Sequence, residues 1–200
     1  MPRPAVAQVN LAAQPLVRVE QSKHEGIGSP AEKFLEVGKF SNKFWADNTT
    51  DKLSKYGFPA TVIQKSVLWR KSYRVLVGPY SSDPEAEAAH KSLSSRGFTP
   101  RSFERGTRDF LLPPGLGLER KHIPQGACVI SWESYMPDAI VRFEGYRGLG
   151  VTVEGKWVKR DVKYAQNAIV YRRNGDGTRT LLEIQFAGMA QALVLGKGSS

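Results

Sequence analysis

Alternating hydrophobic and polar positions are clearest between residues 33 and 105. Alternating or β-branched runs there predict four strands, at 34–40, 60–65, 72–77 and 98–103. Helical spacing predicts one helix between the first two strands and another between the last two. The order β-α-β-β-α-β is typical of the ferredoxin-like fold, in which both helices pack on one face of a four-stranded antiparallel sheet.

Start and stop signals support both helices. Ser41 is a good N-cap for the first helix, and Gly57 lies just past its end. The second helix begins at Ser82 or Asp83, with Pro84 in its first turn, and ends at Gly97.

The same alternation assigns side chains to the two faces of the predicted sheet. In the first strand, Leu35 and Val37 face the helices, and Glu36 faces the other way. In the third strand, Tyr73 belongs with the apolar side, and Arg74 with the opposite side. No element of this segment remains to cover that second face, so an open platform is expected.

The flanking segments have different patterns. Residues 1–32 hold four prolines and predict a disordered leader or linker, in which the alternation at 16–20 is typical of an edge strand. Residues 106–114 contain Gly and Pro and predict a linker. Residues 115–200 show five or six short strands, which predicts an all-β small sandwich or barrel. Asn174-Gly175-Asp176-Gly177 marks a hairpin between two of them.

Charge narrows the class of partner. The chain of 200 residues has a net charge of +10, and residues 33–105 carry 13 Lys and Arg against 7 Asp and Glu. This balance favours an anionic partner such as nucleic acid, a phosphate-rich polymer or an acidic surface. No run approaches the roughly 18 apolar residues that a membrane span needs.

Candidate catalytic chemistry is sparse. Cys128 is the single cysteine and lies in an apolar run, so burial is expected. The three histidines are far apart in sequence, and no spacing matches a metal site or a nucleophile elbow. The residues therefore predict no cofactor and no metal site, and nothing in the sequence marks a catalytic pair of carboxylates.

Four motifs between residues 33 and 105 occur in the order of a known family. They are Leu35-Glu36-Val37-Gly38-Lys39-Phe40-Ser41, Tyr56-Gly57-Phe58-Pro59-Ala60, Tyr73-Arg74-Val75-Leu76-Val77-Gly78-Pro79-Tyr80-Ser81 and Arg96-Gly97-Phe98. This segment resembles the SPOR (sporulation-related repeat) domain of bacterial cell-wall proteins. Residues 106–200 resemble no family that we recognise.

The resemblance implies a function and a set of site residues. SPOR domains are binding modules and not enzymes. They bind peptidoglycan glycan strands, particularly those stripped of stem peptides, in the periplasm or envelope of bacteria. The resemblance also implies a role in cell division. The implied glycan-binding residues are Glu36, Lys39, Ser41, Trp69, Tyr73, Arg74 and Arg101. The family usually has glutamine where this chain has Glu36, and a small residue at Lys39.

Several interpretations compete with these assignments. Alternation favours the core for Tyr73, helix capping already explains Ser41, and Trp69 lies in a loop between basic residues. For the whole chain, the alternatives are a nucleic-acid-binding protein that uses the same sheet, or a wall enzyme with a catalytic C-terminal domain. Arg74 and Leu76 stand where RNA-binding sheets carry stacking aromatics, which argues against RNA.

The resemblance implies export to the envelope, with peptidoglycan and other envelope or division proteins as the expected partners. Ala5-Val6-Ala7 is similar to the small-residue pattern before a signal-peptidase site, without the apolar segment that should precede it. An Ala- and Pro-rich disordered start is the favoured interpretation of these residues.

Overall fold

A computed structural model describes residues 17–21, 31–67, 70–146, 148 and 150–196. These ranges contain two helices, α1 (Lys43–Lys55) and α2 (Asp83–Ser94). The strands of the first half are β1 (Val17–Gln21), β2 (Glu32–Phe40), β3 (Ala60–Val67), β4 (Arg70–Tyr80) and β5 (Arg101–Leu112). Those of the second half are β6 (Leu116–Leu118), β7 (Lys121–His122), β8 (Gly126–Tyr135), β9 (Asp138–Gly145), β10 (Gly150–Lys159), β11 (Ala168–Arg173), β12 (Arg179–Gln185) and β13 (Gln191–Leu195).

The ferredoxin-like prediction is confirmed for the segment that carries both helices. Its strands lie in the order β5-β2-β4-β3 and are antiparallel throughout. The sheet differs in extent, because these four strands continue through β8, β9, β10, β13, β12 and β11 to β1 as one sheet. The predicted four-stranded sheet is therefore one end of a much larger one.

Local sequence signals explain both helices. Asn42, rather than Ser41, is the N-cap of α1, and its side-chain oxygen accepts the Phe44 N–H at 2.9 Å. Gly57 has a φ of +81° just past the end of α1, a conformation that glycine adopts without steric cost. Ser82 caps α2, and its hydroxyl accepts the Glu85 N–H.

The helices cover one face of the sheet with an apolar core. Leu53 of α1 and Leu93 of α2 are fully buried there, against Leu35, Val75 and Val77 of the sheet. Burying a side chain of this size stabilises the fold by about 1.5–3 kcal/mol. We call this side the helix face.

The predicted linker 106–114 contains the second half of a long strand. β5 runs without interruption to Leu112 and pairs with β8 from Glu104 to Leu112. Gly106 is in the middle of the strand because a Cβ there would lie 2.3 Å from the Trp132 ring, so glycine allows the close packing of β5 on that indole. The glycine that suggests a linker is thus a packing requirement.

Residues beyond β5 surround a second core, with Trp132, Trp157 and Phe186 in mutual ring contact. β5, β6 and β8 to β13 contribute to it, and they belong to one sheet, in agreement with the prediction that this half is rich in strands. Asn174-Gly175-Asp176-Gly177 forms the turn between β11 and β12. β1 pairs with β11 at the position where the sequence indicates an edge strand.

Candidate functional site

The face of the sheet opposite the helices carries most of the predicted site residues, and we call it the open face. Phe34 and Glu36 of β2 lie there, with Leu76 of β4 and Phe103 of β5. Leu35, between Phe34 and Glu36, belongs to the core of the helix face. The alternation of β2 therefore divides its side chains between the two faces as the sequence predicts.

The open face is concave, as the contact between Lys65 and Glu133 indicates. Lys65 lies on β3 and Glu133 on β8, which are four positions apart in the sheet order. A flat sheet would separate these strands by roughly 19 Å. The two side chains nevertheless form an ion pair, so the sheet curls and brings β8 toward β3.

Glu36 is held by internal contacts and is only 8% exposed. The Tyr135 hydroxyl donates a hydrogen bond to its carboxylate, and Arg74 Nε lies 3.6 Å from the same oxygen. Burial, and then the hydrogen bond to the Glu36 carboxylate, raise the pKa of Tyr135 well above its usual range. A carboxylate accepts the hydrogen bond from Tyr135 and also pairs with Arg74, which suits an acid at a position where the resemblance leads one to expect glutamine.

Arg74 lies at the centre of this network. Its side chain is 17% exposed and lies 3.6 Å from both Glu36 and Glu133. Lys65 pairs with the same Glu133 oxygen, so two cations face two carboxylates. The Nε and Nη1 atoms of Arg74 are buried and make no hydrogen bond to any described residue. Part of the hydrogen-bonding capacity of Arg74 is thus unused.

Tyr135 forms a layered arrangement with its neighbours. The Arg101 guanidinium lies 5.1 Å from the centre of the Tyr135 ring, and that of Arg74 lies 5.6 Å from it. Phe103 packs against the same ring with the centroids 5.2 Å apart. Arg101 is exposed to solvent. The two guanidinium groups beside this ring can attract carboxylates.

The remaining predicted residues have different locations. Lys39 is exposed and pairs directly with Arg74 in the sheet register, which places both on the open face. Ser41 is exposed in the turn before α1. Tyr73 is 9% exposed in the core of the helix face and is separated from the open face by the sheet. Trp69 lies outside the described residues.

Tyr135 and Glu133 are the two residues of this face that the sequence does not reveal. They lie beyond the segment that resembles a known family, and 99 positions separate Tyr135 from Glu36. The alternation of β8 puts both opposite the buried Trp132, but it does not identify the strand beside which β8 lies. Only the pairing of β8 with β5 brings them to the open face.

Three further properties of the described part of the chain concern function. Neither α1 nor α2 has the length and apolar character of a membrane-crossing helix. No cluster of three or more His, Cys, Asp or Glu suited to a metal ion occurs within the ranges that the structure covers. Burial raises the pKa of the Cys128 thiol to about 11, which keeps it protonated at neutral pH.

Comparison with known families identifies one part of the chain. Residues 32–100 match the family model of the SPOR domain, about a third of the 200 residues. No curated protein and no solved structure matches the chain. SPOR domains are non-catalytic modules that bind peptidoglycan, so the match supports a cell-wall-binding role. They occur in proteins of the cell envelope and of division.

Proposed function

We propose that this chain, which carries a SPOR domain at residues 32–100, binds peptidoglycan glycan strands without catalysis through its open face. Binding would take place in the bacterial periplasm or envelope, with a preference for strands stripped of stem peptides. The observation that carries the proposal is the concave open face, on which Arg101 and Arg74 contact the Tyr135 ring and Lys39 is paired with Arg74.

The chemistry of a glycan strand suits these groups. Its hydroxyl and acetamido groups accept and donate hydrogen bonds, and its lactyl groups carry carboxylates when the stem peptides are removed. Arg101 and Lys39 are exposed and can attract those carboxylates. Arg74 lies beneath, next to the Tyr135 ring, and its guanidinium faces Glu36 and Glu133.

The preference for stripped strands has a steric argument. The open face curls so far that Lys65 and Glu133 meet across it, and a ligand must approach the arginines inside this curvature. A bare glycan chain is narrow enough to approach closely, whereas stem peptides would collide with the walls of the curved sheet. Within this proposal, Glu36 fixes Tyr135 and Arg74 and is not itself a ligand contact.

The test is sedimentation of the full chain with purified sacculi, before and after amidase removal of stem peptides. We expect more protein in the pellet after amidase treatment. Arg101→Ala should weaken binding about tenfold, because one charge-assisted hydrogen bond to the glycan would be lost. Arg120→Ala, an exposed arginine in the turn between β6 and β7, is the matched control and should bind normally. No sedimentation above that of an unrelated basic protein would refute the proposal.

The nucleic-acid alternative loses support from the packing of the open face. Phe34 and Phe103 lie on this face but are 6% and 3% exposed, and Tyr135 packs on Phe103. RNA-recognition sheets need such aromatics exposed for base stacking. Salt-sensitive RNA binding without sacculus binding would reverse this ranking. A zymogram on purified peptidoglycan tests the alternative of a catalytic C-terminal half.

A further inference from the structure

An open groove of about 450 Å³ lies largely on the strands of the C-terminal half. It is next to the part of the open face that carries Arg74 and Arg101, which we call the SPOR-domain site. Its lining includes Lys65 and Glu133, the ion pair that also contacts Arg74. The groove and the arginine-rich part of the open face are therefore adjacent, with this ion pair between them.

The register of the sheet arranges the groove in two rows of side chains. The first row crosses four neighbouring strands at Glu32, Arg105, Glu133 and Ile140. The second row is shifted by two residues along the strands and consists of Thr107, Ser131, Arg142 and Thr152. Directly paired residues project from the same face, so both rows continue the open face into the C-terminal half.

The lining combines hydroxyl, cationic, acidic and apolar groups. The second row offers three hydroxyls and the Arg142 guanidinium, which is 3.5 Å from Glu144 and half-exposed. Arg105 donates to Glu32 at 2.8 Å and also lies over the Phe34 ring. Ile140 is 57% exposed and supplies an apolar contact. Lys65, Arg105 and Arg142 are each paired with a carboxylate, so the groove has little net charge and its hydroxyls suit a polyhydroxylated ligand.

An extended peptide is a poorer occupant of the groove. β5 and β8 are each paired on both sides in the sheet, so their backbone groups are already used. Peptides that bind by strand addition need a free sheet edge. Recognition in the groove therefore depends on side chains, and hydroxyls with arginines favour a saccharide.

We propose that this groove binds the continuation of the glycan strand that the SPOR-domain site binds. The C-terminal half would then contribute further sugar subsites. This inference rests on the proposed function. Arg101 and Thr107 are six residues apart on β5, which corresponds to roughly 20 Å along the strand. A ligand that covers both must therefore be an oligosaccharide of several sugars, whereas a short one reaches only one part.

The experiment compares short and long denuded glycan fragments, purified by length, for binding to the full chain by calorimetry. We expect the long fragments to bind at least tenfold more tightly than disaccharides. Arg142→Ala should lower the affinity for long fragments about tenfold and leave the affinity for disaccharides unchanged. Arg173→Ala on β11 removes an exposed arginine that does not line the groove, and it should leave both affinities unchanged.

The outcomes separate the two proposals. Equal affinity for both lengths, or long-fragment binding that Arg142→Ala does not change, overturns the groove inference and leaves the SPOR-domain site standing. Absence of binding by fragments of any length overturns both. Thermal unfolding of each variant, expected to match that of the unmodified chain, shows that a lost affinity is not a lost fold.

Discussion

The two faces of the sheet β3-β4-β2-β5 are covered in different ways. The helix face is covered by α1 and α2, which are adjacent in sequence to the strands they pack on, and its core is almost entirely apolar. The open face is bordered by Glu133 and Tyr135 of β8, and its contacts are ion pairs, a phenol–carboxylate bond and stacked guanidinium groups. One face mainly stabilises the domain, and the other supplies groups suited to a polar ligand.

The largest effect expected from this comparison is on the helix face. Leu53 is fully buried between α1 and the sheet. Leu53→Ala should lower the free energy of unfolding by about 2–5 kcal/mol, because it leaves a cavity in a close-packed core. Urea denaturation measures this loss, and glycan affinity of the folded variant should stay unchanged because Leu53 is across the sheet from the open face.

A matched control for this truncation is Val162→Ala, at a side chain that is 76% exposed. Surface truncations of this kind usually change stability by less than about 0.5 kcal/mol. If Leu53→Ala left stability unchanged but weakened glycan binding, this would contradict the conclusion that the helix face stabilises the domain and the open face binds the ligand.

The same contrast explains how much the sequence could reveal. Strand order, helix ends and the burial of Leu35 and Val75 follow from alternation and from glycine and capping signals, which are local. The contact between Tyr135 and Glu36 depends on the pairing of β5 with β8 and on the curl of the sheet. No local pattern encodes either feature, so the sequence does not predict that Glu133 and Tyr135 lie on the open face.

Gly106 illustrates a signal with two meanings. In sequence it accompanies nearby prolines and favours a linker, and in the structure it makes room for the Trp132 ring within a continuous strand. Distinguishing the two requires knowing that Trp132 lies on the neighbouring strand. The pairing of β5 with β8 replaces the predicted linker by a continuous strand, and it also extends the open face into the C-terminal half.

A smaller effect, on binding and stability together, is expected at Glu36. Glu36→Gln removes a negative charge beside Arg74 while keeping an oxygen that can accept the Tyr135 hydroxyl. Stability should fall by about 1 kcal/mol with the loss of a charged acceptor. Affinity for denuded glycan should rise about threefold, since one less carboxylate repels the lactyl groups.

Calorimetric titration with glycan fragments measures this change, and Glu87→Gln on α2 serves as the control. Glu87 is exposed on the helix side, so its replacement alters the net charge equally without touching the open face. Weaker binding by Glu36→Gln would instead make the Glu36 carboxylate a direct ligand contact.

The smallest effect is on the pH dependence of stability and isolates the Tyr135 hydroxyl. Burial and the Glu36 carboxylate raise the pKa of Tyr135 in the folded protein above the value of about 10 in the unfolded chain. Its contribution is therefore fully present below pH 10 and is lost as the pH rises toward the folded pKa. Tyr135→Phe should be less stable by about 1 kcal/mol at neutral pH, and the difference should shrink above pH 10.

Urea denaturation of both proteins between pH 8 and about 11.5 measures this difference. Cys128, whose pKa is raised to about 11, is present in both proteins, so its contribution cancels in the comparison. Tyr146→Phe, at a tyrosine that is 97% exposed, should follow the unmodified chain at every pH. A gap between Tyr135→Phe and the unmodified chain that stays constant across this range would mean that Tyr135 ionises as freely in the folded protein as in the unfolded one. The hydrogen bond to Glu36 would then not stabilise the folded protein through the protonated hydroxyl of Tyr135.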